Sequence, residues 1–325
     1  ESRCTGKGAS MSATLLVELL TEELPPKALQ TLGNAFASGI ADGLRSRQLL
    51  EAGSTITVYC TPRRLAVHIS QVRSIAPDQP FSEKLMPVSV GLKDGQPTPA
   101  LLKKLTAKQL SHIDPATLER EHDGKTEQLV YRAVAKGVSL NGGLQLALED
   151  AIAKLPIPKV MSYQLDDGTS TVHFVRPAHG LVALHGNNIV PVDVLGLKAD
   201  RVTQGHRFQG ARDIEIPAAD AYEEKLATNG KLIAGFAQRR ADIFAQLQKH
   251  AAGLNATLGA AADYEPLLDE VTALVEMPTV YVGTFEAGLQ EAERKGLIER
   301  DFARVRPTVR GFDFLSDLQA LFLQE

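Results

Sequence analysis

Residues 14–19 (TLLVEL) are a largely apolar run with a β-branched centre, the pattern of a buried strand. Leu29, Leu32, Phe36, Ile40 and Leu44 then recur at spacings of three and four, one face of an amphipathic helix. Thr21 is the expected cap of that helix, the acids after it suit a helix start, the Pro25-Pro26 pair fits its first turn, and Gly53 is a plausible stop. Strands are expected over 55–60 and 65–70, joined by the turn TPRR, with Arg63 and Arg64 at the hairpin tip. From 76 to 99 the chain is punctuated by Pro, Asp, Gly and Gln and reads as a loop or small inserted subdomain. A short basic helix follows over 101–110 with Thr98 as its cap, then a strand over 128–135 and a helix over 144–155 closed by the prolines of LPIP.

Residues 155–210 alternate short β-rich runs with turns. The pattern predicts strands over 171–175, 181–184 and 189–195, with Gly186-Asn187-Asn188 turning between the last two. Arg176-Pro177 and His179 then fall at a strand junction, and Gly205-His206-Arg207-Phe208 falls in a loop after the sheet. Beyond Pro217 the pattern turns helical. Asp220 would cap a first helix. Ile233, Phe236, Ala237, Ile243, Phe244 and Leu247 would form the stripe of a second, with Arg239 on another face, and Pro266 would open a third. A short strand is expected over 279–283. The class is α+β, with mixed or antiparallel sheets and packed helices, then a helical segment and a small winged-helix-like tail. The expected divisions are 1–11, 12–75, 76–127, 128–213, 214–287 and 288–325.

Composition narrows this picture. The chain has 325 residues, 44% of them hydrophobic and 23% charged, enough to bury a substantial core. A net charge of −4 argues against a generally basic coat for nucleic acid, but not against a local basic face. Cys4 and Cys60 are too few and too far apart for a disulfide framework or a zinc site, which suits a reducing cytoplasm. No run approaches the ~18–20 apolar residues of a membrane span. The first ten residues lack the apolar core of a signal peptide and read as a disordered extension.

Half of the eight histidines lie in 155–210, among Lys159, Arg176, Lys198, Arg201 and Arg207. They show no H-x-x-x-H or H-E-x-x-H spacing, so a metal site is not indicated. No phosphate-binding glycine loop and no G-x-S-x-G is present, and Cys60 sits inside an apolar strand. Glu18 falls in a buried run, where a charge needs a partner, and Arg63 or Arg64 could supply it. The same two arginines read either as solvated turn residues or as phosphate contacts. The residues alone describe a cationic recognition surface without a catalytic centre.

Six motifs in order add more: LVELLTEELPPKAL (16–29), TPRRLA (61–66), KLPIPKVM (154–161), VHFVRPAH (172–179), DRVTQGHRF (200–208) and LLDEVTALVEMPTV (267–280). Together they closely resemble the N-terminal part of the β subunit of bacterial heterotetrameric glycyl-tRNA synthetase, over about 12–287. The resemblance implies a noncatalytic subunit of a cytoplasmic aminoacyl-tRNA ligase. Such a subunit positions tRNA(Gly) and associates with an α subunit, which uses ATP with Mg to activate glycine; no cofactor is expected on this chain. On that footing Arg63, Arg64, Lys159, Arg176, His179, His206 and Arg207 are the expected contacts to tRNA or to the α subunit. The alternative is an RNA- or protein-binding remnant without ligase activity. The family's usual Gly before T-E-E-L-P is Leu20 here, and its Arg-Trp pair after LPIPK is Ser162-Tyr163. Family subunits continue through further helical and anticodon-binding regions. Residues 288–325 instead resemble the C-terminal end of oxygen-independent coproporphyrinogen III oxidase-like proteins without the radical-SAM cysteines, as a truncated or rearranged gene would give. The tail's expected apolar face is Phe312, Leu315, Leu318, Leu321 and Phe322.

Overall fold

The computed structural model describes residues 12–122, 124, 126–165, 167–282, 285–300, 305–315 and 319. The first strand, β1 (Ser12–Thr21), becomes the centre of the molecule. A 3-10 turn (Pro26–Ala28) leads into α1 (Leu29–Ser46), and β2 (Ile56–Thr61) and β3 (Arg64–Arg73) follow as a hairpin. Thr21 is not a helix cap. It remains in the strand and donates its hydroxyl to the Glu22 carbonyl at 2.8 Å, while α1 starts without any side-chain cap, its entry fixed by the prolines. The helix stops at Ser46, short of Gly53.

Residues 79–87 form a strand rather than a loop. The order here is β4 (Gln79–Pro87), α2 (Val88–Gly91), β5 (Leu92–Lys93), β6 (Gln96–Pro97), α3 (Pro99–Ala107), β7 (Glu119–His122) and β8 (Glu127–Ala135). The Thr98 hydroxyl does cap α3, accepting from the Leu101 N–H. Strands β4, β8 and β7 make one antiparallel sheet over its own core of Leu85, Leu101, Leu105, Leu118 and Leu129. The division expected between 127 and 128 therefore falls inside a sheet. Entry and exit of this unit lie side by side: Ile75 bridges Ser139, and the Ala76 N–H donates to the Val138 carbonyl at 2.9 Å.

The chain returns through α4 (Leu140–Ala153), the hairpin of β9 (Met161–Gln164) and β10 (Thr171–Phe174), then β11 (Ala178–His185) and β12 (Asn188–Ile189). Strand β11 pairs with β1, so the main sheet runs β12-β11-β1-β3-β2, antiparallel throughout. Residues that looked like a separate central module thus complete the N-terminal sheet. Gly186, at φ +59, makes the β11–β12 turn. The single strand expected over 189–195 breaks after Ile189, where Pro191 has no N–H for a ladder. Two-residue strands follow: β13 (Asp193–Val194), β14 (Leu197–Lys198), β15 (Val202–Thr203) and β16 (Ile214–Glu215).

β1 is covered on both faces. Leu15, Val17 and Leu19 join Leu32, Phe36 and Ile40 of α1 and Leu144 and Leu148 of α4 in one core. Leu16 faces the other way, with Ala66, Val182, Ile214, Ile216, Tyr222 and Leu226. Each such aliphatic side chain contributes roughly 1.5–3 kcal/mol by leaving water. Helix α4 lies close against α1 because glycines meet alanines: a Cβ on Gly43 would stand 2.6 Å from the Ala147 Cβ.

The second face is covered by α5 (Tyr222–Thr228); α6 (Phe236–Gly253) and α7 (Ala261–Thr272) follow, and Phe236 and Ala273 join the first core. Asp220 caps no helix; it sits in a 3-10 turn with Oδ1 3.1 Å from His68 Nε2. Helix α7 begins at Ala261, so Pro266 lies within it rather than at its start. Residues 279–282 pair with no strand among the described residues. The tail carries α8 (Phe285–Arg294), β17 (Ile298–Arg300), β18 (Val305–Pro307) and α9 (Val309–Asp313). Of its expected apolar face, Leu315 is exposed; Leu318, Leu321 and Phe322, and the Phe312 side chain, lie outside the described residues.

Candidate functional site

At the Thr21 end of the main sheet a buried polar knot forms around Glu18 and Arg64. The register sets Ala66 opposite Glu18 and Arg64 opposite Leu20, which makes Glu18 and Arg64 diagonal neighbours on one face. Arg64 donates from Nη1 to Glu18 Oε2 at 3.1 Å, from Nε to Thr61 Oγ1 at 3.1 Å, and from Nη2 to the Gln204 carbonyl at 2.8 Å. The Thr203 and Tyr222 hydroxyls also donate to the Glu18 carboxylate. Glu276 accepts from Thr61 at 2.6 Å and lies 3.7 Å from Arg64 Nε. Burial works against the Arg64 charge, but Glu18, Tyr222 and Glu276 outweigh it and hold the guanidinium above its ordinary pKa. Burial and then the Glu18 charge push the Tyr222 phenol well up, so it stays a donor.

Arg64 was expected at a hairpin tip and as a contact to RNA or a partner. It is instead fully buried, with its donors taken, and so is removed from the list of surface contacts. Arg239, expected on a face of α6 other than its apolar stripe, is buried as well. It donates to the carbonyls of Thr272, Ile233 and Cys60 at 3.2, 2.8 and 2.9 Å and sits over the Phe236 ring. Carbonyl dipoles rather than a paired carboxylate hold it, and burial lowers its pKa to about 10. Beside it burial pushes the Cys60 thiol up to about 11, so this cysteine is a packed, protonated group.

Above the knot opens a cleft of about 430 Å³ lined by Glu22, Arg63, His179, Gln204, Gly205, His206, Arg207, Ala211, Arg212 and Asp213. Four of the seven expected contacts, Arg63, His179, His206 and Arg207, therefore meet here from three separate motifs. His179 Nε2 lies 3.0 Å from Glu22 Oε1, and Arg207 Nη1 lies 3.3 Å from Glu23 Oε1. Partial burial raises the Glu22 carboxyl, but hydrogen bonds with Glu23 and His179 and the nearby charges leave it below the usual carboxylate range. Arg176 stands outside the lining and ties the strand junction to the first motif, donating from Nε to the Glu23 carbonyl at 2.9 Å. Its Nη1 also contacts the Met161 sulfur at 3.1 Å. Lys159 is exposed and is not among the lining residues.

The wall made by residues 204–212 is rigid for a backbone reason. His206 N–H donates to the Gly230 carbonyl at 2.7 Å and Gly205 N–H to the Ala211 carbonyl at 2.8 Å. A Cβ on Gly210 would stand 2.2 Å from the Gly230 oxygen. At this loop's tip Phe208 is 87% exposed, its ring 6.1 Å from that of His206.

All six motifs contribute to this end of the molecule: Glu18 and Glu22, Thr61 to Arg64, Met161, Arg176 and His179, Thr203 to Arg207, and Thr272 with Glu276. Sequence reasoning did not single out Gln204, Phe208, Arg239 or Glu276 for the site, and it counted Arg212 only among the basic residues at the edge of the 155–210 stretch. Of the four, Phe208 carried a legible signal, an aromatic beside an arginine in a loop. Among the described residues no group of three His, Cys, Asp or Glu side chains is placed to hold a metal.

The sequence matches the family profile described as glycyl-tRNA synthetase beta subunit over residues 15–291. It is 54% identical over 284 residues to the glycine–tRNA ligase beta subunit of Dechloromonas aromatica, an alignment covering 85% of this chain and 40% of that protein. The protein of the same name from Acidovorax sp. is 55% identical over 275 residues, covering 84% and 38%. That of Nitrosomonas europaea is 49% identical over 290 residues, covering 89% and 40%. The chain thus spans about two fifths of the length of the curated relatives it matches.

Proposed function

The chain belongs to the glycyl-tRNA synthetase beta subunit family, and from that membership we propose that it acts as a noncatalytic component of a glycine–tRNA ligase. In this reading it helps position tRNA(Gly) and associates with an α subunit in the cytoplasm, and that subunit uses ATP with Mg to activate glycine. The observation that carries the proposal is the convergence of all six motifs on one end of the sheet. There four of them line a cleft with Arg63, His179, His206 and Arg207, beside the exposed ring of Phe208. Guanidinium groups suit phosphate oxygens, and an exposed aromatic ring suits an unstacked base. The six candidate contacts kept are Arg63, Lys159, Arg176, His179, His206 and Arg207.

The test mixes the chain with a family α subunit, glycine, ATP, Mg and tRNA(Gly), and measures glycylation, tRNA binding and co-purification. Arg207→Glu should weaken tRNA binding or α-subunit association at least several-fold and flatten the salt dependence of RNA binding. If it changes neither, Arg207 leaves the list. If the wild-type chain supports neither glycylation nor association while still binding RNA, the RNA-binding remnant is the correct reading.

A further inference from the structure

Arg63 is the unusual member of the cleft. It is only 9% exposed, and its Nε is buried with no hydrogen-bond partner. No ion pair to it is found among the described residues. Its neighbour Arg64 has donors from all three guanidinium nitrogens engaged. A buried polar group left unpaired is costly, so the unpartnered Nε of Arg63 on a cleft wall marks a place where a ligand supplies the acceptor. The position is held firmly: the Arg63 carbonyl accepts from the Thr21 N–H at 2.8 Å and its N–H contacts Thr61 Oγ1 at 3.3 Å.

The rest of the lining restricts what that ligand can be. The carboxylates of Glu22 and Asp213 face the same space as the cations, so a bare anion would meet repulsion on one side. A group offering acceptor oxygens next to hydroxyl donors suits both sets: phosphate oxygens toward Arg63, sugar hydroxyls toward Glu22 or Asp213. A volume near 430 Å³ lies within the ~300–1,000 Å³ common for small-ligand clefts and exceeds what one carboxylate fills.

The geometry points to a site for one ribose-phosphate unit, with Arg63 as the phosphate anchor and the cleft carboxylates as acceptors for the ribose hydroxyls. The unit comes either from a nucleotide residue of RNA or from a free mononucleotide. RNA as the source rests on the functional reading given above; the ribose-phosphate chemistry does not.

Calorimetric titration of the whole chain tests it, using inorganic phosphate, adenosine monophosphate, a single-stranded RNA trinucleotide and the matching DNA trinucleotide. Wild-type protein should bind a ribonucleotide ligand at least tenfold more tightly than its deoxy counterpart or phosphate alone. Preference for the trinucleotide over the mononucleotide names RNA as the source, and equal binding names the free nucleotide. Arg63→Met should lower that affinity tenfold or more while leaving the melting temperature without ligand unchanged or raised, because it removes an unpaired buried charge. Arg63→Lys should fall between the two. Undiminished binding in Arg63→Met, equal binding of ribo and deoxy ligands, or a melting temperature lowered by Arg63→Met would each overturn the site. Loss of α-subunit association in Arg63→Met with no nucleotide binding in wild type would overturn it in favour of a partner's carboxylate. None of these readouts requires glycylation, so this site can fail while the ligase reading stands.

Discussion

Glu18 is a glutamate in the middle of the most buried strand of the chain, 1% exposed, and it accepts from Arg64, Thr203 and Tyr222. Removing one partner from such a set leaves the other charge stranded, which costs roughly 3–5 kcal/mol. Glu18→Ala should therefore lower the urea-unfolding free energy by about that range, because Glu276, 3.7 Å from Arg64 Nε, offsets only part of the lost charge. A loss below about 1 kcal/mol would show that Glu276 alone can hold Arg64. The sequence made this pair legible as a need: a carboxylate in an apolar run requires a cation, and the two nearest candidates were adjacent arginines. It could not divide their roles. That division follows from the hairpin: Arg64 is the first residue of β3 and shares the face of Glu18, whereas Arg63 lies in the two-residue turn before it. Arg63, one position earlier, is left for the cleft.

Helices α1 and α4 show what a periodic pattern conveys and what it omits. The spacing of Leu29, Leu32, Phe36, Ile40 and Leu44 located α1 and the face it buries, and all five are buried in the main core. The partner of the adjoining edge of that face, Gly39 and Gly43, was not legible, because small residues carry no hydrophobic signal. They face Ala151 and Ala147 so closely that added side chains would collide. Ala147→Leu should destabilise the fold by about 1–3 kcal/mol through overpacking, whereas Leu146→Ala, at a half-exposed position, should stay within about 0.5 kcal/mol. Equal effects in urea titrations of the two variants would contradict this packing. The loop at 204–212 follows the same logic in backbone form. Gly205, Gly210 and Gly230 allow three segments to touch, and only that contact turns a run of turn-forming residues into a cleft wall.

At the scale of the molecule, the β4-β8-β7 sheet is an insertion between β3 and α4, with its own core and adjacent ends at Ala76 and Val138. Replacing residues 77–137 by a two-residue Asn-Gly turn should leave a single cooperative thermal transition, with the midpoint moved by no more than about 4 °C. Loss of the cooperative transition would show that the insertion supports the main sheet. The sequence by itself determined the α+β class, most helices and strands of the core, the family, and the cationic character of the 155–210 stretch, because these depend on local periodicity and on short ordered motifs. Only the tertiary structure decided which cation is structural and which is available. It also decided that β11 completes the N-terminal sheet, that Arg239 is internal, and that six motifs spread over some 260 positions share one end of one sheet. The reason is physical. Strand pairing and the closing of a cleft are set by contacts between residues far apart in the chain, and local pattern records the demand for a partner without naming it.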